Sequence, residues 1–222
     1  MAFISVFEVI GPNMIGPSSS HTAGAASIAR LAWKMMHEKI VKVHFTLFGS
    51  FAVTYKGHGT DRALLGGIMG FETDDVRIRN SFEIAEKEGI DFSFSTDTVE
   101  TEVHPNTVEI KLVGESGRTL VVRGVSLGGG KVELTRINGV KVRFTGEYHA
   151  LIVVHKDHPG VISKITNVFG KLHVNIAYLR VYREAKGGNA YMIIESDQEI
   201  TKGAVEEIEK NPFVRDTMLI SK

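Results

Sequence analysis

The sequence predicts an α+β fold in two domains, and three observations support this. Helical patterns dominate residues 20–88, and paired strand patterns follow from residue 107. Such segregation of helices from strands is typical of the α+β class and not of a doubly wound parallel sheet. Residues 149–220 then show the order strand, helix, strand, strand, helix, strand. We therefore expect one domain over residues 1–146 and a second over residues 147–222.

Apolar residues at helical or alternating spacing define the elements of the first domain. Helices are predicted from Ser20–Ala23 to Met36, over residues 62–69 with Thr60 or Asp61 as the cap, and over residues 81–88. A strand is predicted over residues 41–48, where apolar and polar side chains alternate before Gly49. An antiparallel meander with an Asn138-Gly139 hairpin turn is predicted from the strand patterns at residues 108–113, 119–125, 132–137 and 140–144.

The second domain has the element order of a ferredoxin-like fold. Its strands are predicted over residues 149–155, 176–183, 191–195 and 217–220, and its helices over residues 161–172 and 202–209.

The composition excludes several classes of protein. The 26 basic residues equal the 26 acidic ones, so no net charge attracts nucleic acid or a membrane surface. No apolar run reaches the roughly 18 residues that a membrane span needs, and the N-terminus lacks the basic start of a signal peptide, so we expect a cytoplasmic protein. The chain has no cysteine, and its nine histidines show no metal-ligand spacing, so we expect no metal site within it.

A polar run precedes the first helix and contains candidate substrate-binding residues: Ser18, Ser19, Ser20, His21 and Thr22. Hydroxyls and unpaired N–H groups at a helix N-terminus favour a carboxylate or a phosphate. The alternative interpretation is an N-cap on a serine-rich turn.

A second candidate site lies around His58, where flanking glycines leave the imidazole accessible as a catalytic base. Gly59, Thr60 and Asp61 follow it and are candidate substrate-binding residues. The alternative is a loop histidine between two glycines that only turn the chain.

Two further motifs remain open between binding and structural roles. In the segment His104 to Thr107, Asn106 and Thr107 are available to bind a ligand or to start a strand. In the second domain a small effector is predicted at the strand-to-helix loop and the start of the next strand, through Asp157, His158, Gly160, Val161 and Asn175. The alternative there is that Gly160 only permits tight packing of the helix on the sheet.

Four motifs occur in order along the chain: GPSSSHTAGA (16–25), LFGSFAVTYKGHGTDRALLGG (47–67), HPNT (104–107) and the glycine run 128–130. Together they closely resemble the beta subunit of iron–sulfur L-serine dehydratases. The resemblance implies that the first domain is similar to the allosteric-substrate-binding domain of some phosphoglycerate dehydrogenases. The second, with its DHPGV loop, resembles an ACT domain, which implies self-association.

The resemblance further implies a heteromeric enzyme that converts L-serine to pyruvate and ammonia. A separate alpha subunit would carry the cysteines and the [4Fe-4S] cluster, and this chain would bind no cofactor alone. Residues 18–22 would bind the serine carboxylate, and His58 would transfer a proton. Residues 59–61 would position His58. The alternatives are a non-catalytic amino-acid-sensing regulatory subunit and a scaffold that only dimerises.

Overall fold

A computed structural model describes residues 12–222. Residues 1–11, on which the expectation of no signal peptide partly rests, lie outside that range. The chain divides into two compact units, and the division falls between Gly139 and Val140. The predicted domain boundary after residue 146 stays a prediction. Within residues 12–222, no helix is both long and apolar enough to cross a membrane.

The predicted helices of the N-terminal unit are confirmed, with one wrong cap. The α-helices described there are α1 (Gly24–Met36), α2 (Gly49–Thr54), α3 (Thr60–Ile68) and α4 (Ser81–Lys87). A π-helical turn, Ser19–Ala23, leads into α1, and a 3-10 turn, Val76–Asn80, leads into α4. Neither Thr60 nor Asp61 caps α3. The cap position is Gly59 with φ +66°, a conformation that glycine adopts without strain.

The first sheet contains the predicted antiparallel meander and a strand that the sequence patterns missed. Its strands run in the order β2-β1-β3-β4-β5-β6. They are β1 (Ile40–Phe48), β2 (Asp91–Asp97), β3 (Thr107–Gly114), β4 (Thr119–Gly128), β5 (Lys131–Ile137) and β6 (Val140–Phe144). The unpredicted edge strand β2 pairs in parallel with β1, whereas β3, β4 and β5 follow as antiparallel neighbours.

Close backbone approaches hold α1 between the sheet and α3. A Cβ on Gly124 of β4 would lie 2.5 Å from Ile28 Cγ2, so α1 packs directly on this strand. A Cβ on Gly67 of α3 would lie 2.7 Å from Ala29 Cβ and would collide with the carbonyl of Ala26. The small residues Ala26 and Ala29 of α1 therefore permit the close approach of α3.

The C-terminal unit has the predicted ferredoxin-like order, which confirms the α+β class. After β6, its elements are β7 (His149–Lys156), α5 (Val161–Lys171), β8 (Tyr178–Arg183), β9 (Asn189–Ser196), α6 (Lys202–Glu209) and β10 (Val214–Ile220). The strands form an antiparallel sheet in the order β10-β7-β9-β8. Both helices bury their apolar faces on one side of this sheet, in a core of Leu151, Val153, Val161, Ile165, Phe169, Met192, Ile194, Ile200, Ala204 and Ile208.

Candidate active site

The serine-rich turn before α1 is capped by its first serine. Ser18 is extended, and its Oγ accepts a hydrogen bond from the His21 N–H at 3.1 Å. Its carbonyl accepts from the N–H groups of Thr22 and Ala23 at 2.9 and 3.3 Å. The N-cap interpretation is therefore confirmed for Ser18. Ser19 lies half-buried on the same turn, which is π-helical, a geometry frequent at functional sites.

Both ring nitrogens of His21 contact serine hydroxyls. Nδ1 lies 3.1 Å from Ser20 Oγ and 3.5 Å from Ser18 Oγ, and Nε2 lies 2.9 Å from Ser50 Oγ. Because a hydroxyl can donate or accept, these contacts suit either neutral tautomer of the ring. Burial, and then the field of His58, lower the pKa of His21 below its ordinary value, which favours the neutral ring.

The two candidate histidines lie together although they are far apart in sequence. The ring centroids of His21 and His58 are 4.9 Å apart, with the ring planes at 73°. The Thr22 hydroxyl donates to the main-chain carbonyl of His58 at 3.1 Å, which ties the serine-rich turn to the loop before α3. Thr22 is buried, with 2 % of its surface exposed, and its hydroxyl makes this structural hydrogen bond. His58 Nδ1 is buried and has no hydrogen-bond partner within residues 12–222.

The three residues after His58 have different surroundings. Nothing lies within 4 Å of a Cβ built on Gly59, so space does not require a glycine at this position. The positive φ of +66° does favour glycine there. Thr60 is fully buried, and its Oγ1 has no hydrogen-bond partner in the described part of the chain. The Asp61 carboxylate accepts from the Arg62 N–H at 2.8 Å. Burial raises the pKa of Asp61, and the Arg62 N–H and charge oppose that rise.

The HPNT segment supports the site through its backbone. The Pro105 carbonyl accepts from the Phe51 N–H at 3.3 Å, at the first turn of α2. The Thr107 hydroxyl donates to the His104 carbonyl at 2.5 Å as β3 begins. The Asn106 carbonyl accepts from the Ser126 N–H at 3.0 Å. The sequence left Thr107 open between binding a ligand and starting a strand, and the structure shows that it starts β3.

Two serines near this site were not predicted. Ser50 contacts His21, and it sits within the motif 47–67, between the end of β1 and the histidine loop. Ser126 is fully buried, its Oγ has no partner among the described residues, and it lies where a side chain on Gly24 would be. An isolated serine carries no periodic signal, so only the fold reveals these neighbours.

In the C-terminal unit, four of the five predicted effector residues lie at one end of the sheet. The Asp157 carboxylate accepts from the Gly187 N–H at 3.0 Å and from the Arg183 guanidinium at 3.3 Å, and these bonds lower its pKa. The His158 ring stacks on Phe213, with centroids 4.3 Å apart. Gly160, with φ +84°, is the cap position of α5, and Val161 is buried beneath the first turn.

Asn175 lies at the opposite end of the same sheet. It precedes β8, whose first residue Tyr178 pairs with Glu195, and its N–H donates to Gln198 Oε1 at 2.9 Å. Asp157 follows β7, whose last residues pair with the other end of β9. With a rise of about 3.3 Å per residue, the strand between the two ends is on the order of 20 Å long. One copy of the unit therefore does not bring Asn175 to Asp157.

Comparison with known proteins agrees with this arrangement of two units. The model of the family described as serine dehydratase beta chain matches residues 5–136. The chain belongs to the serine dehydratase beta chain family. The model of the ACT domain matches residues 149–213. The motifs that bring His21 and His58 together lie within the first of these matches.

Members of the serine dehydratase beta chain family are similar over nearly the whole chain. The probable L-serine dehydratase beta chain of Bacillus subtilis (strain 168) is 45% identical over 214 residues, which cover 96% of each chain. The L-serine dehydratase beta chain of Peptoniphilus asaccharolyticus is 42% identical and covers 91% of each chain. The D-3-phosphoglycerate dehydrogenase of Bacillus subtilis is 27% identical over 88% of this chain, which corresponds to 37% of that protein.

Proposed function

We propose that this chain is the beta subunit of a heteromeric L-serine dehydratase, with an active site shared with a cluster-bearing alpha subunit. The observation that carries the proposal is that His21 and His58 lie together with the hydroxyls of Ser18, Ser20 and Thr22. Names of the relatives provide independent support, because two of them are L-serine dehydratase beta chains. The chain has no cysteine, so thiolate ligands for a [4Fe-4S] cluster have to come from another chain.

The proposed reaction removes water from L-serine and ends with pyruvate and ammonia. A base takes the Cα proton, the released electron pair forms the Cα=Cβ bond, and the Cβ–O bond breaks. The hydroxyl leaves as water after gaining a proton. The aminoacrylate that remains tautomerises to an imine, which water hydrolyses. The partner's cluster, when bound, supplies Lewis-acid activation of the departing hydroxyl.

This chain would bind and orient the amino acid and move the α-proton. His58 is the proposed proton acceptor, because its half-buried ring has an Nδ1 without a hydrogen-bond partner among residues 12–222. The serine-rich turn would bind the carboxylate through hydroxyls and main-chain N–H groups. The free polar atoms of His58 and Thr60 support a site that a ligand completes, since buried polar groups are nearly always paired.

Anaerobic co-purification with an iron–sulfur partner tests the proposal. We expect the reconstituted pair to form pyruvate in proportion to added L-serine, and each chain alone to form none. A pair that assembles with an intact cluster but forms no pyruvate would contradict it.

The ACT match supports an alternative, namely that the chain only senses an amino acid. In that case the partner alone would be active, and calorimetry would show L-serine binding to this chain by itself. Measuring both quantities separates the shared active site from a regulatory subunit.

We propose that the C-terminal unit forms an effector site when two copies of the chain associate. The predicted effector residues lie at two ends of one sheet, so a ligand contacts both sets only if a second copy contributes Asn175. Light scattering at several protein concentrations measures whether the chain dimerises. We expect Asn175→Ala and Asp157→Ala each to abolish effector binding to the dimer, whereas a persistent monomer would contradict the proposal.

A further inference from the structure

Ser50 makes the contact to His21 that the serine-rich turn does not supply. The turn provides hydroxyls to Nδ1, whereas Nε2 meets Ser50, which is 29 residues further along the chain. The His21 ring also packs edge-on against Phe51, with centroids 5.3 Å apart. The first turn of α2 thus contacts one nitrogen and one side of this ring.

The fold places Ser50 through a clamp on the start of α2. Gly49 has φ +53°, and a Cβ there would lie 2.7 Å from the Pro105 carbonyl oxygen. The same carbonyl accepts from the Phe51 N–H. The Ser50 carbonyl accepts from the Thr54 hydroxyl at 2.8 Å. The HPNT segment therefore fixes the helical turn from which the Ser50 hydroxyl reaches His21.

We propose that Ser50 is a positioning residue that, with Ser20 on the other ring nitrogen, holds the His21 ring edge-on to His58. Two hydroxyls on opposite nitrogens restrain the rotation of an imidazole about its Cβ–Cγ bond, because either rotation breaks one hydrogen bond. Without Ser50, the ring keeps hydrogen bonds on its Nδ1 side alone.

The orientation matters for the proton that His58 would accept. With ring centroids 4.9 Å apart, two positive imidazolium rings would repel each other. Hydroxyls on both ring nitrogens suit a neutral His21, and the lowered pKa of His21 agrees with this, so His21 adds no positive charge beside the His58 ring. This catalytic consequence rests on the proposed function, whereas the orientation of the ring does not.

Nuclear magnetic resonance of the full chain with labelled histidine tests the orientation directly. We expect the wild-type chain to show cross-relaxation between ring protons of His21 and His58. Ser50→Ala should shift the His21 Nε2 resonance and weaken that cross-relaxation, and Ser50→Thr, which retains a hydroxyl, should restore both. Ser50→Cys, with a weak hydrogen-bonding group of similar size, should resemble Ser50→Ala, and it also serves if the alanine variant does not fold.

Ser93→Ala is the matched control. Ser93 Oγ lies 2.8 Å from Nδ1 of His44, on the neighbouring strands β1 and β2, so the control removes a serine hydroxyl from a different imidazole. We expect the His44 resonances to change and those of His21 to stay. A Ser50→Ala chain with unchanged Nε2 resonance and cross-relaxation would overturn the proposal.

The reconstituted complex tests the consequence for turnover. Ser50→Ala should lower kcat by about three- to tenfold, the factor that one net hydrogen bond corresponds to, with KM changed less than about twofold. Ser93→Ala should leave both constants unchanged. Altered resonances with a wild-type kcat would overturn the catalytic consequence. Altered resonances in a chain whose wild-type complex makes no pyruvate would support the positioning role while the proposed function fails.

Discussion

His58 and His158 each precede a helix that begins after a left-handed glycine, and their surroundings differ. Gly59 has φ +66° and Gly160 has φ +84°, and no side chain caps either helix. His58 is half-buried against a second imidazole and has an unpartnered Nδ1 in the described part of the chain. His158 is exposed, stacks on Phe213, and has Nδ1 2.9 Å from the Pro159 carbonyl.

The comparison shows that the local pattern sets the helix start but not the chemistry of the histidine. In both places the glycine ends a loop and the helix follows. The serine-rich turn, which is distant in sequence, changes the environment of His58 through the Thr22 bond to its backbone and the nearby His21 ring. His158 receives an aromatic neighbour from the segment before β10 and has its ring bonded locally.

The largest expected difference between the two histidines is in turnover. His58→Ala should lower kcat of the reconstituted complex by about 10²- to 10⁴-fold, the usual contribution of a general base. Without added effector, His158→Ala should leave kcat within about twofold, because its ring contacts Phe213 and the Pro159 carbonyl and is not a proposed catalytic group. Pyruvate formation at saturating L-serine, with co-purification of both variants as a check on assembly, measures this. Wild-type kcat in His58→Ala would remove His58 from the mechanism.

Much of the fold could be predicted from the sequence because it rests on local periodicity. The alternation of Val43, Phe45 and Leu47 identified β1, and all three side chains are fully buried. Strand β2 was missed because its alternating residues are phenylalanines and serines at a partly exposed edge, which gives a weak pattern. The Gly59 cap was missed because Thr60 and Asp61 are common caps, whereas positive φ is invisible in sequence.

The candidate site was predictable only as separate motifs. The runs around Ser18–Thr22 and His58 stand out as polar residues among glycines, and the family resemblance assigned their roles. Their meeting depends on how α1 packs against α3, which involves contacts such as Gly67 on Ala29 that no local pattern encodes. Ser50 was missed for the same reason, since its significance arises from the distance to His21.

Replacing Gly59 or Gly160, the two cap glycines, with alanine should lower the free energy of unfolding by equal amounts. Nothing lies within 4 Å of a Cβ built on Gly59 or Gly160, so alanine adds only the strain of positive φ, about 1–2 kcal/mol at each position. Gly170→Ala is the matched control. It lies within α5 with equally open surroundings and no positive φ, and alanine there should stabilise by up to about 1 kcal/mol. Urea unfolding measures all three, and a loss at Gly170 equal to that at Gly160 would refute the role of φ.

The smallest expected difference concerns Asp61 and Asp157, the carboxylates beside the two turns, on acidification. The pKa of Asp157 is lowered by the Gly187 N–H and then by Arg183, so its contribution to stability is present above the ordinary aspartate pKa and is lost as pH falls through the lowered value. The pKa of Asp61 is raised by burial, so its ionised form costs stability at neutral pH, and this cost disappears as pH falls through the raised value.

Asp157→Asn should thus reduce the loss of amide protection that acid causes in the C-terminal unit. Asp61→Asn should remove the gain of protection that acid causes around α3. Amide hydrogen exchange between neutral and acidic pH measures each unit separately, with Asp197→Asn as a control for the change of charge. Parallel pH profiles for the two variants would show that the surroundings of these carboxylates do not differ as the structure indicates.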